Sequence, residues 1–479
     1  MGTRADHSVP SHNLSHHLAH APLHRPAATA STAPDPFRRR LSLDGELPHS
    51  SVRPDGDSAD EDYQEGLFQV YPSAFDAGLD VSACSKAGWE PVRGSLSTGG
   101  PMHGVEVRKE NQDAFCVLAP LQTEAALPIN PRYDSASPPP LQVFLGVFDG
   151  HGAEGRPIAH YARDYISNMS RDAADKLVRT PATTRTGRDR DNRNSGPTAE
   201  LHKQRLETLK AAFSRAERGL TENEVGIDHV FSGTTAVVAW IFGRDMYTAW
   251  TGDSRCVIGR AQSAEHGRNR FKAVDCSHDQ KPVRPDEKRR VRSAGGRIAR
   301  WQRNMGPLRV WLPRDWTPGL AMTRSIGDTV LSEYGVSPIP EVTYLSLGAQ
   351  DSFIVLASDG VWEFMTSQEV VDFIGRMRRE GRSASDASDA LVREAVRRWR
   401  RNEVVVDDTT AVVMWMGWEN EEEERAKRPG EMLLNKPKNL FEKTKAKVSM
   451  KPASLGVHLI GEDGQLGDFV CKNDVFQSV

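Results

Sequence analysis

Four stretches of the chain are apolar at consecutive positions, at 143–148, 236–242, 353–357 and 411–415. A strand half exposed to water alternates apolar with polar residues, so these runs predict strands covered on both faces. Cys116-Val117-Leu118 predicts another strand, entered from a loop over 105–115, and Gly243-Arg244-Asp245 makes a turn from which 246–251 returns as a hairpin. A second pattern has helical spacing. Ile158, Tyr161, Ala162, Tyr165, Ile166 and Met169 recur on one face, as do Leu206, Leu209, Phe213, Ala216 and Leu220. A short charged helix is predicted over 285–292, another around 370–377, and a last one with Ala387, Leu391, Ala395, Val396 and Trp399 on one face. Between 300 and 317 the period is lost. Trp301, Trp311 and Trp316 stand there among Arg and Pro, which reads as a long loop, packed on itself or facing substrate.

Composition places limits on the rest. The 479 residues are 38% hydrophobic with a mean hydropathy of −0.55, which fits one large folded domain diluted by polar ends. Residues 1–87, rich in Ala, Pro, Ser, His and Asp, are expected to be a disordered low-complexity extension, with order beginning near Gly88-Trp89. The domain then runs over 88–418, interrupted by a polar surface insertion at 180–198. Beyond it lies a charged tail, 419–479, acidic at first and then rich in lysine. Arg38-Arg39-Arg40-Leu41-Ser42 has the form of a basophilic kinase site. Net charge of −3 gives no field towards nucleic acid, no apolar run approaches the ~20 residues of a membrane span, and a monomer is expected. Five scattered cysteines without a Cys-x-x-Cys pair argue for free thiols in a reducing compartment, cytoplasmic or nuclear.

The chemistry gathers at strand ends. Asp149, Asp253, Asp359 and Asp407 each sit where an apolar run stops or starts, a costly place for an unpaired anion. One such aspartate is an ordinary turn residue. Four of them ask for a shared cation, and a ligand set made of oxygen, with no His or Cys cluster, selects Mg²⁺ or Mn²⁺. Asp149 lies in Asp149-Gly150-His151-Gly152, whose glycines let the backbone turn sharply and approach a ligand. Arg108, five residues before Asp113, is of the type that grips a phosphate with two parallel donors.

An ordered set of short motifs carries a resemblance. They are R-x-x-N-Q-D at 108–113, VFDGHG at 147–152, SGTTA at 232–236, GDSR at 252–255, DQKP at 279–282, PGLAMTRSIGD at 318–328, ASDG at 357–360 and DDTT at 407–410. In this order they resemble the type 2C metal-dependent Ser/Thr protein phosphatases, over roughly residues 88–418. The resemblance implies an α+β fold, a four-layer α-β-β-α sandwich of two antiparallel sheets flanked by helices. It implies a hydrolase acting on phosphoserine and phosphothreonine in proteins through water activated by two Mg²⁺ or Mn²⁺ ions, with a weaker third. By the same resemblance Asp149 bridges the two ions and the Gly150 carbonyl joins the second. Asp359 and Asp407 hold the first, Asp113 acts at the second, and Asp253 matches the carboxylate of the third. Arg108 matches the phosphate-gripping arginine and His151 the general acid. Gln112 stands where many members have Glu, which is expected to weaken the second ion. The rival reading is a catalytically impaired phosphatase fold that binds phosphoproteins as a scaffold. It predicts loss of a bridging or first-ion carboxylate, whereas Asp149, Asp359 and Asp407 are all present.

Overall fold

A computed structural model describes residues 67–70, 79–91, 106–121, 142–179, 199–222, 225–262, 270–301, 305–417, 458–460 and 466–467. Ser42, the 180–198 insertion and most of both end segments lie outside these residues. In chain order the strands are β1 (Leu67–Val70), β2 (Asp80–Lys86), β3 (Trp89–Pro91), β4 (Glu106–Arg108), β5 (Asp113–Ala119), β6 (Gln142–His151), β7 (Gly233–Thr234), β8 (Ala236–Phe242), β9 (Asp245–Thr251) and β10 (Arg255–Gln262). They continue with β11 (Arg270–Asp275), β12 (Arg297–Trp301), β13 (Met305–Trp311), β14 (Pro318–Leu320), β15 (Ile326–Gly327), β16 (Glu341–Ser346), β17 (Asp351–Ala357), β18 (Thr409–Trp415), β19 (His458–Ile460) and β20 (Leu466–Gly467). The helices are α1 (Gly155–Arg179), α2 (Ala199–Thr221), α3 (Pro285–Ser293), α4 (Asp359–Trp362), α5 (Ser367–Arg379) and α6 (Ala384–Asn402).

The consecutive apolar runs become the middle strands of two sheets. One has the order β1-β5-β6-β8-β9-β16-β19-β20, with β7 and β15 branching from β6, and the other has the order β11-β10-β17-β18-β2. Successive side chains of a strand point to opposite faces, so each run serves two cores. In β6, Val143, Leu145 and Val147 enter the layer between the sheets, where they meet Ile258, Leu356 and Val412. Phe144 and Phe148 point the other way, under Ile158 of α1 and Phe213 of α2. In β17, Ile354 and Leu356 face inward, while Phe353 and Val355 lie under Val371 of α5 and Leu391 of α6. The result is the expected α-β-β-α sandwich.

Two expectations are corrected. The folded part begins before Gly88. β2 pairs antiparallel with β18 along its whole length, Asp80 opposite Trp415 and Lys86 opposite Thr409, and β1 lies parallel to β5. Val-Ser-Ala-Cys-Ser has too few large apolar residues to register as a strand by its pattern. Its small side chains nevertheless bury Val81 between the sheets and Cys84 in the core under α6. The long loop expected over 300–317 is also corrected, since β12 reaches Trp301 and β13 takes 305–311. β12, β13 and β14 form a small antiparallel sheet with Ile298 opposite Val310, and Val310 and Leu320 pack with Val291 of α3. Trp301, Trp311 and Trp316 are spent on one another, with ring centroids 5.1 to 5.6 Å apart, and the Arg297 guanidinium lies 4.0 Å from the Trp316 ring. The aromatics thus make a local cluster, which is why no strand period shows.

Candidate metal centre and active site

Strands of both sheets run out at one end of the sandwich, and the acidic residues are there. Asp113 opens β5 directly opposite Asp149 near the end of β6. From the second sheet, Asp359 follows β17 and Asp407 precedes β18. Asp253 sits in the turn between β9 and β10, where the chain crosses from one sheet to the other.

These carboxylates are poorly compensated by the protein. Asp113 and Asp253 are buried, at 2% and 0% exposure. Asp113 Oδ2 accepts a hydrogen bond from Ser358 Oγ at 2.8 Å, but its Oδ1 and both oxygens of Asp253 are buried without a hydrogen-bond partner. The charges of Asp149 and Asp359 act on each other. Burial, reinforced by repulsion from neighbouring carboxylates, pushes Asp113 up to about 7 and Asp149 and Asp359 well above the usual carboxylate range. Asp253 is also raised, by burial first, although the Lys281 charge opposes the shift. Orphaned buried oxygens and mutual repulsion are what a hard divalent cation would relieve, so the residues fit the ions that the sequence implies. Asp407 is different. Lys109 Nζ donates to its Oδ1 at 2.8 Å, and its side chain is 42% exposed.

Backbone geometry holds the loops around this centre. A Cβ at Gly150 would stand 2.4 Å from the Gly155 carbonyl oxygen and 2.6 Å from that of Gln112, so only glycine fits. Gly152 has φ of 87°. The Gln112 side chain turns to this loop, with Nε2 donating to the Gly152 carbonyl at 2.8 Å. Asp408 accepts from two backbone groups, Gly88 N–H at 2.7 Å and Gln112 N–H at 2.9 Å, and so ties β3 and the 109–112 loop to the start of β18.

His151 is joined to a residue far away in sequence. β7 pairs with both β6 and β15, which carries Asp328 to the imidazole. His151 Nε2 and Asp328 Oδ2 are 2.7 Å apart, and Ser325 Oγ donates to the same Asp328 oxygen at 2.5 Å. Nδ1 is buried near the Asp149 carbonyl without a well-formed hydrogen bond. Burial alone would lower the His151 pKa, but the charge and hydrogen bond of Asp328 outweigh it and the net shift is upward. Arg108 ends β4 opposite Trp89 and next to Lys109, on the Asp407 side of the centre.

Single-sequence reasoning named the acidic residues but missed Lys109, Lys281, Asp328 and Asp408. The last three stand inside the quoted motifs DQKP, RSIGD and DDTT, and Lys109 follows Arg108. Their types and positions were therefore visible, but nothing in spacing says which far-off group each one meets.

A second trio, Asp286, Glu287 and Glu341, also draws its oxygens together, within 4.8 Å of one another. It does not fit an ion. Arg290 and Arg324 bind Glu287 at 2.6 and 2.7 Å, and Arg284 reaches Asp286 at 2.6 Å and also pairs with Glu341.

Comparison with known proteins agrees with this geometry. The family model "Protein phosphatase 2C" matches residues 102–404. Probable protein phosphatase 2C 12 of Oryza sativa subsp. japonica is 36% identical over 294 residues, which are 57% of this chain and 74% of that protein. Probable protein phosphatase 2C 64 of the same plant is 35% identical over 279 residues, 57% of this chain but only 58% of that protein. The crystal structure of a serine-threonine phosphatase 2C from Toxoplasma gondii superposes with a TM-score of 0.50 at 20% identity, over 70% of this chain and 94% of the other, a likeness of fold alone. The chain belongs to the protein phosphatase 2C family, Ser/Thr protein phosphatases that act on phosphoproteins and generally depend on Mg²⁺ or Mn²⁺.

Proposed function

We propose that this protein removes phosphate from phosphoserine and phosphothreonine with the strand-end carboxylates as its working centre. The observation that carries the reading is the set of aspartates, Asp113 and Asp253 buried and Asp149 and Asp359 half-buried, whose repulsion the protein leaves largely uncancelled. Asp149 and the Gly150 carbonyl, Asp359, Asp407 and Asp113 are the groups that would hold two divalent ions. Bound there, such ions lower the pKa of a water and screen the phosphate dianion.

The remaining work falls to side chains of this chain. Arg108 has the planar fork to take two non-bridging oxygens of the phosphate. The Asp328 carboxylate keeps a proton on His151 Nε2 and favours the imidazolium. The imidazolium is then the proton source for the departing Ser or Thr oxygen, a step worth ~10²–10⁴ in rate. The tie from Gln112 to Gly152 fixes the loop that carries both Gly150 and His151. Four buried free cysteines support a reducing location, cytoplasm or nucleus, and the weak net charge supports a protein rather than a nucleic-acid partner.

The test is hydrolysis of a phosphothreonine peptide with added Mn²⁺, in wild type and Asp359→Asn. Turnover by wild type that chelation removes and the variant lacks is the expected result. Equal turnover by both, or by neither, favours the scaffold reading.

A further inference from the structure

Glu217 puts a carboxyl on an apolar helix face. It stands four residues after Phe213 and three before Leu220, the spacing that brings all three to one side of α2, where Phe213, Ala216 and Leu220 are fully buried. An acid at such a position needs a partner. Glu217 Oε2 accepts the backbone N–H of Gly327 at 2.8 Å, across 110 positions of chain. Burial pushes the Glu217 carboxyl up to about 7, the Gly327 N–H opposes the push, and the Asp328 charge adds to it. The tie does not depend on the proton, because a carboxylate and the carbonyl oxygen of the acid both accept an N–H.

The segment that Glu217 holds leads into Asp328. β15 is two residues long, and the side chain of its Ile326 is anchored in the core with Phe213 and Ala216. Gly327 has no side chain to anchor. Its N–H is not spent on β7, and left without an acceptor in a buried strand it would be costly. Asp328 then has φ of 49° and ψ of 37°, the one left-handed residue other than glycine among the described residues. An L side chain keeps that conformation only where its surroundings fix it. Here the Ser232 carbonyl accepts the Asp328 N–H at 2.9 Å, while Glu217 takes the N–H just before it. The turn so fixed sets Asp328 Oδ2 at 2.7 Å from His151 Nε2.

We propose that Glu217 is a positioning residue for the proton donor. Its carboxyl, holding Gly327 from α2, fixes the left-handed turn at Asp328 and through it the orientation of the His151 imidazole. The proposal rests on the reading of His151 as the proton source for the departing alkoxide, and Glu217 acts through Asp328 rather than on substrate.

The experiment compares two leaving groups in the full-length protein with saturating Mn²⁺. A threonine alkoxide needs a proton as it leaves, whereas para-nitrophenolate is a weak base that departs without one. Glu217→Met keeps the length and helix preference of the side chain and removes the acceptor. It is expected to lower kcat on a phosphothreonine peptide about tenfold with KM within about twofold, and to leave turnover of para-nitrophenyl phosphate within about twofold. Amide hydrogen exchange over residues 325–330 should quicken in the same variant. Glu217→Gln retains an acceptor oxygen and should restore both. Added to Asp328→Asn, Glu217→Met should cost the peptide reaction nothing further. An equal fall on both substrates, no fall on the peptide, a Gln variant as impaired as Met, or a further loss on top of Asp328→Asn each overturns the proposal. If Glu217→Met does not fold, Glu217→Ala takes its place with the same expected outcomes, and failure of both to fold overturns it, since Glu217 then supports the fold and not the donor. A wild type that hydrolyses neither substrate would refute the phosphatase reading. Hydrogen exchange then decides alone, with quickening in Glu217→Met that Gln restores leaving the tie to Asp328 standing, and unchanged exchange removing it.

Discussion

This domain gathers two clusters of carboxylates, each with buried members, and treats them in opposite ways. At Asp286, Glu287 and Glu341, three arginines thread between the acids, and Glu287, although buried, is held down to about 2. Burial pushes Glu287 up, but hydrogen bonds from Arg290 and Arg324 overcome it. At Asp113, Asp149 and Asp359 the same residue chemistry meets no such arginine fork, and the shifts run upward. A buried acid with its own cation fastens α3 to the segments carrying Arg324 and Glu341. A buried acid without one leaves its oxygens unspent, open to a cation that arrives from solution. The contrast, more than the count of acids, separates the working centre from the structural one.

Neutralising an acid should therefore have opposite consequences in the two places. The largest effect is on turnover. Asp359→Asn is expected to lose activity on the order of 10³-fold or more. In chelator its melting point should match or exceed that of wild type, because a repelling charge has gone. A clear fall in melting point with activity retained would reverse the assignment.

Glu287→Gln comes next and should do the reverse. It leaves Arg290 and Arg324 facing a neutral amide, and stability should fall by about 3 kcal/mol, read from denaturant unfolding. The pH dependence has a definite sign. A folded value of about 2 lies below the ordinary 4.5, so the stabilisation is complete above pH 4.5 and is lost as pH falls towards 2. The size is about 3 kcal/mol on the same scale. Glu287→Gln should flatten that acid limb of the wild-type stability curve.

His151 and Asp328 lie between these extremes, since here an acid inside the working centre has found a cation of its own. Asp328→Asn removes the charge that raises the imidazole, so the alkaline fall of the kcat profile should move to lower pH, with kcat down about tenfold. An unmoved limb would show that another group supplies the proton. The smallest effect belongs to Gln112→Glu. It adds a charge at the edge of the acidic set and removes the amide that donates to Gly152. The Mn²⁺ concentration for half-maximal activity should fall a few-fold, and a rise would show that the tie to the loop outweighs the charge.

The sequence made one of the two clusters legible and hid the other. Asp149, Asp253, Asp359 and Asp407 stand at the ends of apolar runs, where a carboxylate is conspicuous because its neighbours are greasy. Glu287 lies in Pro-Asp-Glu-Lys-Arg-Arg, which reads as a solvated helix face, and only the fold brings Arg324 to it across 37 positions. The inner strands were legible for the same reason as the aspartates, as runs covered on both faces, while the sandwich itself came from the family resemblance with which they agree. β2 was not, because Ser, Ala and Cys bury well under a helix without announcing it, and β12–β13 were not, because their tryptophans satisfy one another. Lys281 and Asp328 were in plain view within motifs, yet their partners are 28 and 177 residues away and come together only through strand pairing.

The most direct measurement is the number of Mn²⁺ ions bound at saturation by the chelator-stripped protein, counted calorimetrically for wild type, Asp149→Asn and Glu287→Gln. The account predicts two tightly bound ions for wild type and for folded Glu287→Gln, and a loss of tight binding for Asp149→Asn. Saturable binding that survives Asp149→Asn unchanged, or that disappears with Glu287→Gln, would contradict it.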